Sequence, residues 1–579
     1  MKEAFRSVII IALFMGAAIG LSAGARHEYA FLAYPLEKIK PREMPAAVTH
    51  ATVRLAGNEY ETVLIGVGNP GGETLEITGI MIARSGESSL SISCSRIQYI
   101  PITQSSRWFA PAGGLWPDPV VPIEAVPGAS GDGAPREIRW VFGKAVEIPR
   151  GENRVFLLEI YQPAGERCSE NLSIAFDSVD AGLLPLDVRV ESWDFDLPRE
   201  PAMATSFNFS RALVAGQHSA LSPAAFSLEE LAMEYLHMLA RFRISAARPD
   251  EDCPASIGPD GTLRFDWRSF DDLTGRLMDG ALFQDAPPAS SFIAPDPPSG
   301  LTPEQNTVFY REVAAHMREK GWLSRMYYLL PDEPLRAEYS SVREAGLSIK
   351  QIDPGIRTLV TEPNAPELEG AVDVWCLDIP FIGDSLPLMP VAARWPYRFF
   401  FDLQLNPSPS RYQDRRARGE DAWIYTCNSA VFLDYPNLFI DSEACYSRII
   451  PWLAFRWGFV GLLYWHTVYG YSLGGDPWKS QYIMMANGDG NLLYPGFPGL
   501  PEIHGHCPVA SLRLYLLRDG MEDFEYLAML SRSAGEDEAR KNAKRAASTS
   551  LEWLRDMRKI QAIRDETARL IEAEGRSAP

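Results

Sequence analysis

The chain has 579 residues, with 75 acidic and 55 basic side chains, a formal net charge of −20 and 46% hydrophobic residues. This composition is that of a folded globular protein, and it excludes a mostly disordered or fibrous chain. It also argues against nucleic acid as a partner, because a polyanion would be repelled over most of the surface. At roughly 100–200 residues per domain, the length predicts a multidomain protein.

The first 25 residues have the layout of a secretory signal peptide. Lys2 and Arg6 precede an apolar run from Ser7 to Leu21, and Ala23-Gly24-Ala25 offers a small-residue cleavage site. An uncleaved membrane anchor is the alternative, since the run could nearly span a bilayer. No later stretch is comparably apolar, so we expect no stable membrane span after cleavage. Residues 1–25 therefore predict a secreted or periplasmic protein.

Residues 26–198 have the pattern of an antiparallel β-sandwich. Apolar and polar residues alternate in several short runs, separated by turn signals such as Asn69-Pro70-Gly71-Gly72. The stretch from Gln104 to Pro135 is rich in glycine and proline and is expected to be an irregular loop. The predicted strands include 51–55, 61–67, 136–142, 154–160 and 186–191.

Residues 199–532 alternate β-type runs with amphipathic helix patterns. Such alternation predicts parallel β-α units, most economically a (β/α)₈ barrel of the TIM type, with a doubly wound open sheet as the alternative. The predicted helices are 227–242, 267–278, 303–320, with Thr302 as N-cap, and 338–352. The predicted strands are 204–209, 244–248, 281–286, 325–330, 358–361, 372–377, 422–426 and 458–465.

The last residues, 533–579, predict a charged helical tail. The seven cysteines are few and odd in number, which argues against a disulfide scaffold, although their pairing cannot be assigned from spacing. His504-x-His506-Cys507 has no second cluster to complete a zinc site, so we expect neither a metal nor a cofactor.

The most informative motif is Asp332-Glu333-Pro334, at the end of an apolar strand. In a (β/α)₈ barrel the carboxyl ends of the strands surround the active site, so both acids would lie at its mouth. The competing interpretation is that Glu333 caps a helix whose first residue is Pro334. The residues alone do not decide between the two.

The adjacency of the two acids restricts the chemistry if they are catalytic. A retaining glycosidase with an enzyme nucleophile needs carboxyl groups about 5–5.5 Å apart on either side of the bond. Neighbours at one strand end suit substrate-assisted hydrolysis instead, in which the 2-acetamido oxygen of the sugar attacks its own anomeric carbon. A different sugar, with Glu362, Asp378 or Asp402 as partner to Glu333, is the alternative.

Several motifs in order along the chain resemble glycoside hydrolase family 123 and the uncharacterised domain group that shares its catalytic region. They are Gly57–Glu61, Trp193–Pro198, Asp332–Pro334, Trp423–Cys427, Gly461–Trp465, Asp476–Trp478, Asn487–Gly490, Tyr494–Gly496, Ser511–Arg513 and Arg518–Asp523.

This resemblance implies a β-sandwich followed by a (β/α)₈ barrel, and a retaining β-N-acetylgalactosaminidase that acts on glycans or glycolipids through an oxazolinium ion. It implies Glu333 as general acid/base and Asp332 as the residue that orients the acetamido group. The segment 386–405 is longer than the resemblance leads us to expect, so the resemblance does not fix the sugar specificity. Trp465, Tyr464, Tyr425 and Trp375 are predicted substrate contacts, because aromatic faces stack on sugars, and Asn487 is predicted as a further contact from a turn that borders the pocket.

A second hypothesis is a surface protein that binds carbohydrate on a degenerate barrel without turning it over. Binding without release from aryl glycosides would favour it. The oligomeric state is not predicted.

Overall fold

The computed structural model describes residues 28–107, 113–126, 136–178, 182–249, 253–363, 365–382 and 415–577. The predicted signal peptide 1–25, the segment 386–405 and Asp402 lie outside the described residues.

Two β-sheets are formed mainly by the N-terminal part of the chain, and two strands near the C-terminus complete one of them. One has seven strands in the order β1-β3-β8-β5-β6-β23-β22, and the other has five in the order β2-β10-β9-β4-β7. All pairs are antiparallel except β2 with β10. The strands are β1 (Tyr29–Ala33), β2 (His50–Gly57), β3 (Glu59–Asn69), β4 (Leu75–Arg84), β5 (Ser91–Ile102), β6 (Gly114–Ile123), β7 (Glu137–Ile148), β8 (Glu152–Gln162), β9 (Ser169–Ser178), β10 (Leu186–Asp196), β22 (Leu493–Gly496) and β23 (Cys507–Ser511).

The two sheets share one hydrophobic core. Val53 and Ile80 of the five-stranded sheet are fully buried in the same cluster as Val63 and Phe156 of the seven-stranded sheet. The alternation in the sequence places these residues on one face of each strand.

The prediction of an irregular loop over 104–135 is wrong in part, because β6 lies within it. Its prolines, which suggested a loop, cannot donate to a ladder and are tolerated at bulges and sheet edges. Here β6 pairs fully only with β5, across a register shift, and meets β23 at just two positions.

A third sheet is parallel and has seven strands in the order β11-β19-β18-β17-β16-β15-β14. Residues 245–247 join its two ends: Ala247 N–H donates to Phe207 O of β11 (2.8 Å), and Ile293 N–H of β14 donates to Ala247 O (2.8 Å). The sheet is therefore barrel-like and nearly closed. Its strands are β11 (Ala204–Phe207), β14 (Phe292–Ile293), β15 (Met326–Leu329), β16 (Arg357–Val360), β17 (Val374–Asp378), β18 (Asp421–Tyr425) and β19 (Gly461–Tyr464).

The strand predicted at 281–286 is wrong; the chain forms its strand at Phe292–Ile293 instead. The segment 281–286 is a turn, whose carbonyl groups at Phe283 and Ala286 accept hydrogen bonds from Arg199 (3.5 and 3.4 Å).

Helices follow most strands of the parallel sheet, and the predicted cap of one is confirmed: Thr302 and Gln305 form a capping box. No helix among the described residues is both long and apolar enough to cross a bilayer. The helices are α1 (Arg211–Leu221), α2 (Leu228–Arg241), α3 (Arg268–Phe270), a π-helical turn (Asp271–Gly275), α4 (Arg276–Met278), α5 (Pro303–Glu319), α6 (Tyr339–Ile352), α7 (Cys445–Trp457), α8 (Leu512–Ala534), α9 (Glu536–Ala546) and α10 (Met557–Ser577). Two short hairpins lie outside the three sheets, β12 (Ala255–Ile257) with β13 (Leu263–Phe265), and β20 (Tyr482–Ile483) with β21 (Ala486–Asn487).

The predicted helical tail is two helices, α9 and α10, packed on the rest of the molecule. Arg564 of α10 is 1% exposed and pairs with Glu59 and Glu61 of β3. The C-terminal helix is thus tied to the N-terminal sheet.

Candidate active site

Asp332 and Glu333 lie just beyond the carboxyl end of β15, and one hydroxyl holds both. Thr361 Oγ1 donates to Asp332 Oδ1 (2.6 Å) and accepts from Glu333 N–H (2.7 Å). Glu333 has φ +43°, in the left-handed region that non-glycine residues rarely adopt. Such backbone persists where the surroundings fix it, and it is common at functional sites.

The competing interpretation, in which Glu333 caps a helix, is wrong. The next helical turn begins at Arg336, and α6 begins at Tyr339. Pro334 therefore is not the first residue of a helix, and the Glu333 side chain makes its own contact across the sheet.

That contact is with Tyr425, at the end of β18. The Tyr425 hydroxyl donates to Glu333 Oε1 at 2.5 Å. Partial burial raises the pKa of Glu333 above its usual value; the Tyr425 hydrogen bond lowers it, and the negative charge of Asp332 raises it. A carboxyl group with a raised pKa suits a general acid.

Two further acids follow the next strands, and both were candidates from the sequence. Glu362 follows β16, and burial raises its pKa to about 7, with the Tyr339 hydrogen bond opposing and the Glu333 charge adding. Asp378 ends β17, and burial raises its pKa to about 8; the Ser429 hydroxyl opposes this and the Glu333 charge adds. The carboxyl ends of β15, β16 and β17 thus place acidic groups side by side.

Asp489 lies beside the end of β19, across the strand ends from Asp332 and Glu333. Its Oδ1 accepts hydrogen bonds from Tyr464 OH (3.1 Å) and Trp465 Nε1 (3.2 Å). Burial raises its pKa to about 6, against the lowering effect of these bonds. The Trp465 ring lies over Gly490, where a Cβ atom would come within 2.1 Å of the indole. This close approach, together with φ +67°, requires glycine there.

The acids at the strand ends, Asp332, Glu333, Glu362, Asp378 and Asp489, are called the acidic cluster below. The structure brings only some of the predicted substrate contacts to this cluster. Tyr425 and Trp465 contact it directly, whereas Tyr464 is fully buried beneath it, with its hydroxyl bonded to Asp489. Trp375 and Asn487 lie apart from the cluster.

Trp375 points away from the barrel interior because side chains alternate along β17. Its neighbours Val374 and Cys376 face that interior, while the indole Nε1 of Trp375 donates to Glu420 (2.8 Å). Asn487 is held by Gln104 O (2.8 Å) and Ser106 Oγ (3.0 Å). In the motif Asn487–Gly490 it is therefore Asp489 that reaches the cluster, which the sequence analysis missed.

Among the described residues, no group of three or more His, Cys, Asp or Glu side chains is arranged to hold a metal ion. His506 lies against a second histidine, with 2.9 Å between its Nδ1 and that of His218. The seven cysteines, all within described segments, are free thiols.

Comparison with known proteins confirms the family resemblance. Residues 304–530 match the family profile described as "Glycoside hydrolase 123, catalytic domain". No curated protein is significantly similar in sequence to the chain.

Among solved structures, the chain is similar to a family 123 glycoside hydrolase from Clostridium perfringens, which was described in a study of glycolipid glycan hydrolysis. The match covers 94% of this chain and 97% of that protein, with 14% sequence identity and a TM-score of 0.60. A β-glucuronidase from Ruminococcus gnavus matches 79% of this chain and 88% of its own, with 8% identity and a TM-score of only 0.25. The region that matches the family profile, residues 304–530, contains Asp332, Glu333 and Asp489. Residues 304–530 therefore match the catalytic domain of glycoside hydrolase family 123, and the chain is a glycoside hydrolase.

Proposed function

We propose that the chain is an exported, retaining β-N-acetylgalactosaminidase that works by substrate-assisted catalysis. The observation that carries this proposal is the Thr361 hydroxyl, which bonds to the carboxylate of Asp332 and to the backbone of Glu333. Two acids fixed at one strand end serve the same side of a bound sugar. This suits a mechanism in which the substrate supplies the nucleophile.

In the first step Glu333 donates its proton to the glycosidic oxygen while the bond from C1 to that oxygen breaks. The acetamido oxygen bonds to C1 as the leaving group departs, which gives an oxazolinium ion. Asp332 accepts the acetamido N–H and stabilises the positive charge. In the second step the Glu333 carboxylate takes a proton from water as the water oxygen bonds to C1 and the bond from C1 to the acetamido oxygen breaks, which restores the acetamido group and retains the configuration at C1.

The environment of Glu333 supports these two roles. A general acid must be protonated when the bond breaks, and partial burial raises the pKa of Glu333 in that direction. Tyr425 supports the charged form that exists between the two steps. One residue is thus poised to give a proton and then to take one.

The proposed substrate is a glycan or glycolipid with a terminal β-linked N-acetylgalactosamine or a related 2-acetamido sugar. The structurally similar hydrolase from Clostridium perfringens was studied in glycolipid glycan hydrolysis. Export is proposed from the predicted signal peptide at residues 1–25. No metal or organic cofactor takes part in the proposed steps.

The test is turnover of an aryl β-N-acetylgalactosaminide by Glu333→Gln and Asp332→Asn variants. Loss of the general acid is expected to reduce kcat by about 10²–10⁴-fold, and loss of the Asp332 charge is expected to be comparably severe. Glu344→Gln, an exposed acid on α6, is the matched control and should be fully active. Full activity in either site variant would refute the assignment.

The structure also favours one alternative, since Glu362 and Asp378 flank Glu333 and both have raised pKa values. Either could act with Glu333 on a sugar that has no acetamido group. A thiazoline mimic of the oxazoline intermediate separates the two cases, because only an acetamido-assisted enzyme should bind it tightly. Binding of glycans without release from any aryl glycoside would instead favour a non-catalytic carbohydrate-binding protein.

A further inference from the structure

Thr361 connects the end of one strand of the parallel sheet to the end of the next. It directly follows β16, the neighbour of β15, and it is 6% exposed. Its hydroxyl bonds to both acids that follow β15, Asp332 and Glu333. A buried side chain on a different strand therefore determines where the two acids lie relative to each other.

The hydrogen atoms of this contact can be assigned from the chemistry of the groups. The backbone N–H of Glu333 can only donate, so the Thr361 oxygen accepts from it at 2.7 Å. With Asp332 charged, as the proposed mechanism requires, the one hydroxyl proton is donated to Asp332 Oδ1 at 2.6 Å. Asp332 is exposed, and the described residues leave its other oxygen, Oδ2, free for a ligand. The two oxygens of one carboxylate thus have different tasks.

The second bond of the hydroxyl acts on the backbone. Glu333 has φ +43°, and a residue with a side chain keeps such a conformation only where its surroundings hold it. The bond from the Glu333 N–H to Thr361 is one contact that holds it there. The direction in which the Glu333 side chain leaves the backbone, toward Tyr425, depends on this conformation.

We propose that Thr361 is a positioning residue for the proposed reaction. Its hydroxyl holds Asp332 Oδ1, so that Oδ2 meets the acetamido N–H, and it fixes the backbone from which Glu333 reaches the glycosidic oxygen. The inference rests on the proposed function, because that function gives the two acids their roles. What the position requires is the hydroxyl, so serine should replace Thr361 and valine should not.

The first test compares Thr361→Val with Thr361→Ser in the turnover of an aryl β-N-acetylgalactosaminide. Valine has the shape of threonine without the hydroxyl, and it is expected to lower kcat by about tenfold to a hundredfold, as for a lost hydrogen bond to a charged group. KM should change by less than about threefold, because the bond orients groups that act in the transition state. Serine restores the bond and should keep kcat within about threefold of the wild type. Equal losses in both variants, or no loss in Thr361→Val, would overturn the proposal.

Thr358→Val is the matched control. Thr358 lies on the same strand, is fully buried, and its hydroxyl also bonds to an aspartate, Asp373 Oδ2, at 3.0 Å. It differs in position, since it lies near the start of β16 whereas Thr361 follows the end of that strand. The control should lose stability to denaturant but keep the wild-type kcat. A loss of kcat as large as that in Thr361→Val would mean that both act through the stability of β16, which would overturn the proposal.

A double-mutant cycle tests whether Thr361 acts through Asp332. Asp332→Ala removes the oxygen that Thr361 holds, so the addition of Thr361→Val should lower kcat by no more than about threefold further. An aryl group that departs readily keeps these slow variants measurable, because its departure needs little help from an acid. Losses that multiply in the double variant would show that Thr361 acts elsewhere, against the proposal.

Failure of the proposed function gives a different result. If Asp332→Asn and Glu333→Gln are fully active, the two acids have no catalytic role and the proposed function fails. If those two variants are inactive while Thr361→Val matches the wild type, only the positioning role of Thr361 fails.

Discussion

The hydrogen bond from Tyr425 to Glu333 controls when the proposed acid is protonated. The hydroxyl donates to the carboxylate and favours its charged form, so it lowers a pKa that burial has raised. In Tyr425→Phe the pKa of Glu333 should rise further. Since the protonated form acts first, activity is lost as the pH rises through this pKa. The alkaline limb of the kcat/KM profile should therefore move to higher pH in the variant.

The measurement is the pH dependence of kcat/KM for an aryl glycoside whose own ionisation lies outside the range. Tyr99→Phe is the control, because the Tyr99 hydroxyl is buried without a partner among the described residues and lies in the N-terminal sheet. A limb that stays in place in Tyr425→Phe, or moves to lower pH, would contradict the assigned role of this bond.

At the scale of single residues, the sequence indicated the proposed catalytic pair but only some of the side chains that lie around it. Asp332 and Glu333 could be found because an apolar strand runs directly into them, which is a local pattern. Asp489 could not, because its contacts with Tyr464 and Trp465 arise from a loop that returns to the end of β19. Trp375 was predicted to face the barrel interior, but the strand pattern does not show which face of β17 points inward.

The packing of α7 against α8 depends on a glycine that the helical pattern alone would disfavour. Alanine is better than glycine inside a helix by about 1 kcal/mol. At Gly520, however, a Cβ atom would lie 2.3 Å from Arg448 O and 3.0 Å from Pro451 Cδ. Overpacking costs about 1–3 kcal/mol, so Gly520→Ala should lower the free energy of unfolding by up to about 2 kcal/mol.

Gly216 of α1 provides the opposite case. A Cβ atom there meets nothing within 4 Å, so Gly216→Ala should stabilise the protein by up to about 1 kcal/mol. Urea unfolding followed by circular dichroism measures both variants. The explanation fails if the two substitutions change stability in the same direction.

The elements themselves could largely be predicted, and the errors have physical causes. Most predicted strands of the parallel sheet are confirmed within a few residues, because buried parallel strands are short apolar runs. The third strand was predicted at 281–286, an apolar stretch, but Arg199 holds this stretch as a turn. The strand β6 was missed because its prolines are acceptable only at the register that tertiary pairing gives it.

At the scale of the whole molecule, buried ion pairs connect segments that are far apart in sequence. Arg564 reaches Glu59 and Glu61, and Arg513 of α8 makes a bidentate pair with Asp118 of β6 (2.9 and 2.8 Å). Strands β22 and β23 also join the N-terminal sheet. A charge pattern shows which residues are ionic but not which partner each will meet, so none of these connections followed from the sequence.

Arg564 is the residue on which this arrangement can be tested. It is 1% exposed, and its removal would leave Glu59 and Glu61 buried without their cation. Breaking a buried pair in this way typically costs about 3–5 kcal/mol, so Arg564→Met should be destabilised by that amount near neutral pH. Arg569→Met, on the exposed face of α10, should be nearly neutral.

The pH dependence distinguishes lost charge pairing from lost packing. Burial already raises the pKa of Glu61, and Arg564 opposes that shift, so the pKa rises further in the variant. A group whose pKa is higher in the folded state contributes stability below its unfolded pKa, and this contribution is lost as the pH rises. Because the unfolded-state pKa is the same in both proteins, the gap in unfolding free energy between Arg564→Met and the wild type should narrow as the pH falls through the raised folded-state pKa of Glu61 in the variant, and should stay constant below its lower folded-state pKa in the wild type. Denaturant unfolding at several pH values measures this gap, and a gap that is constant with pH would mean that Arg564 acts through packing alone.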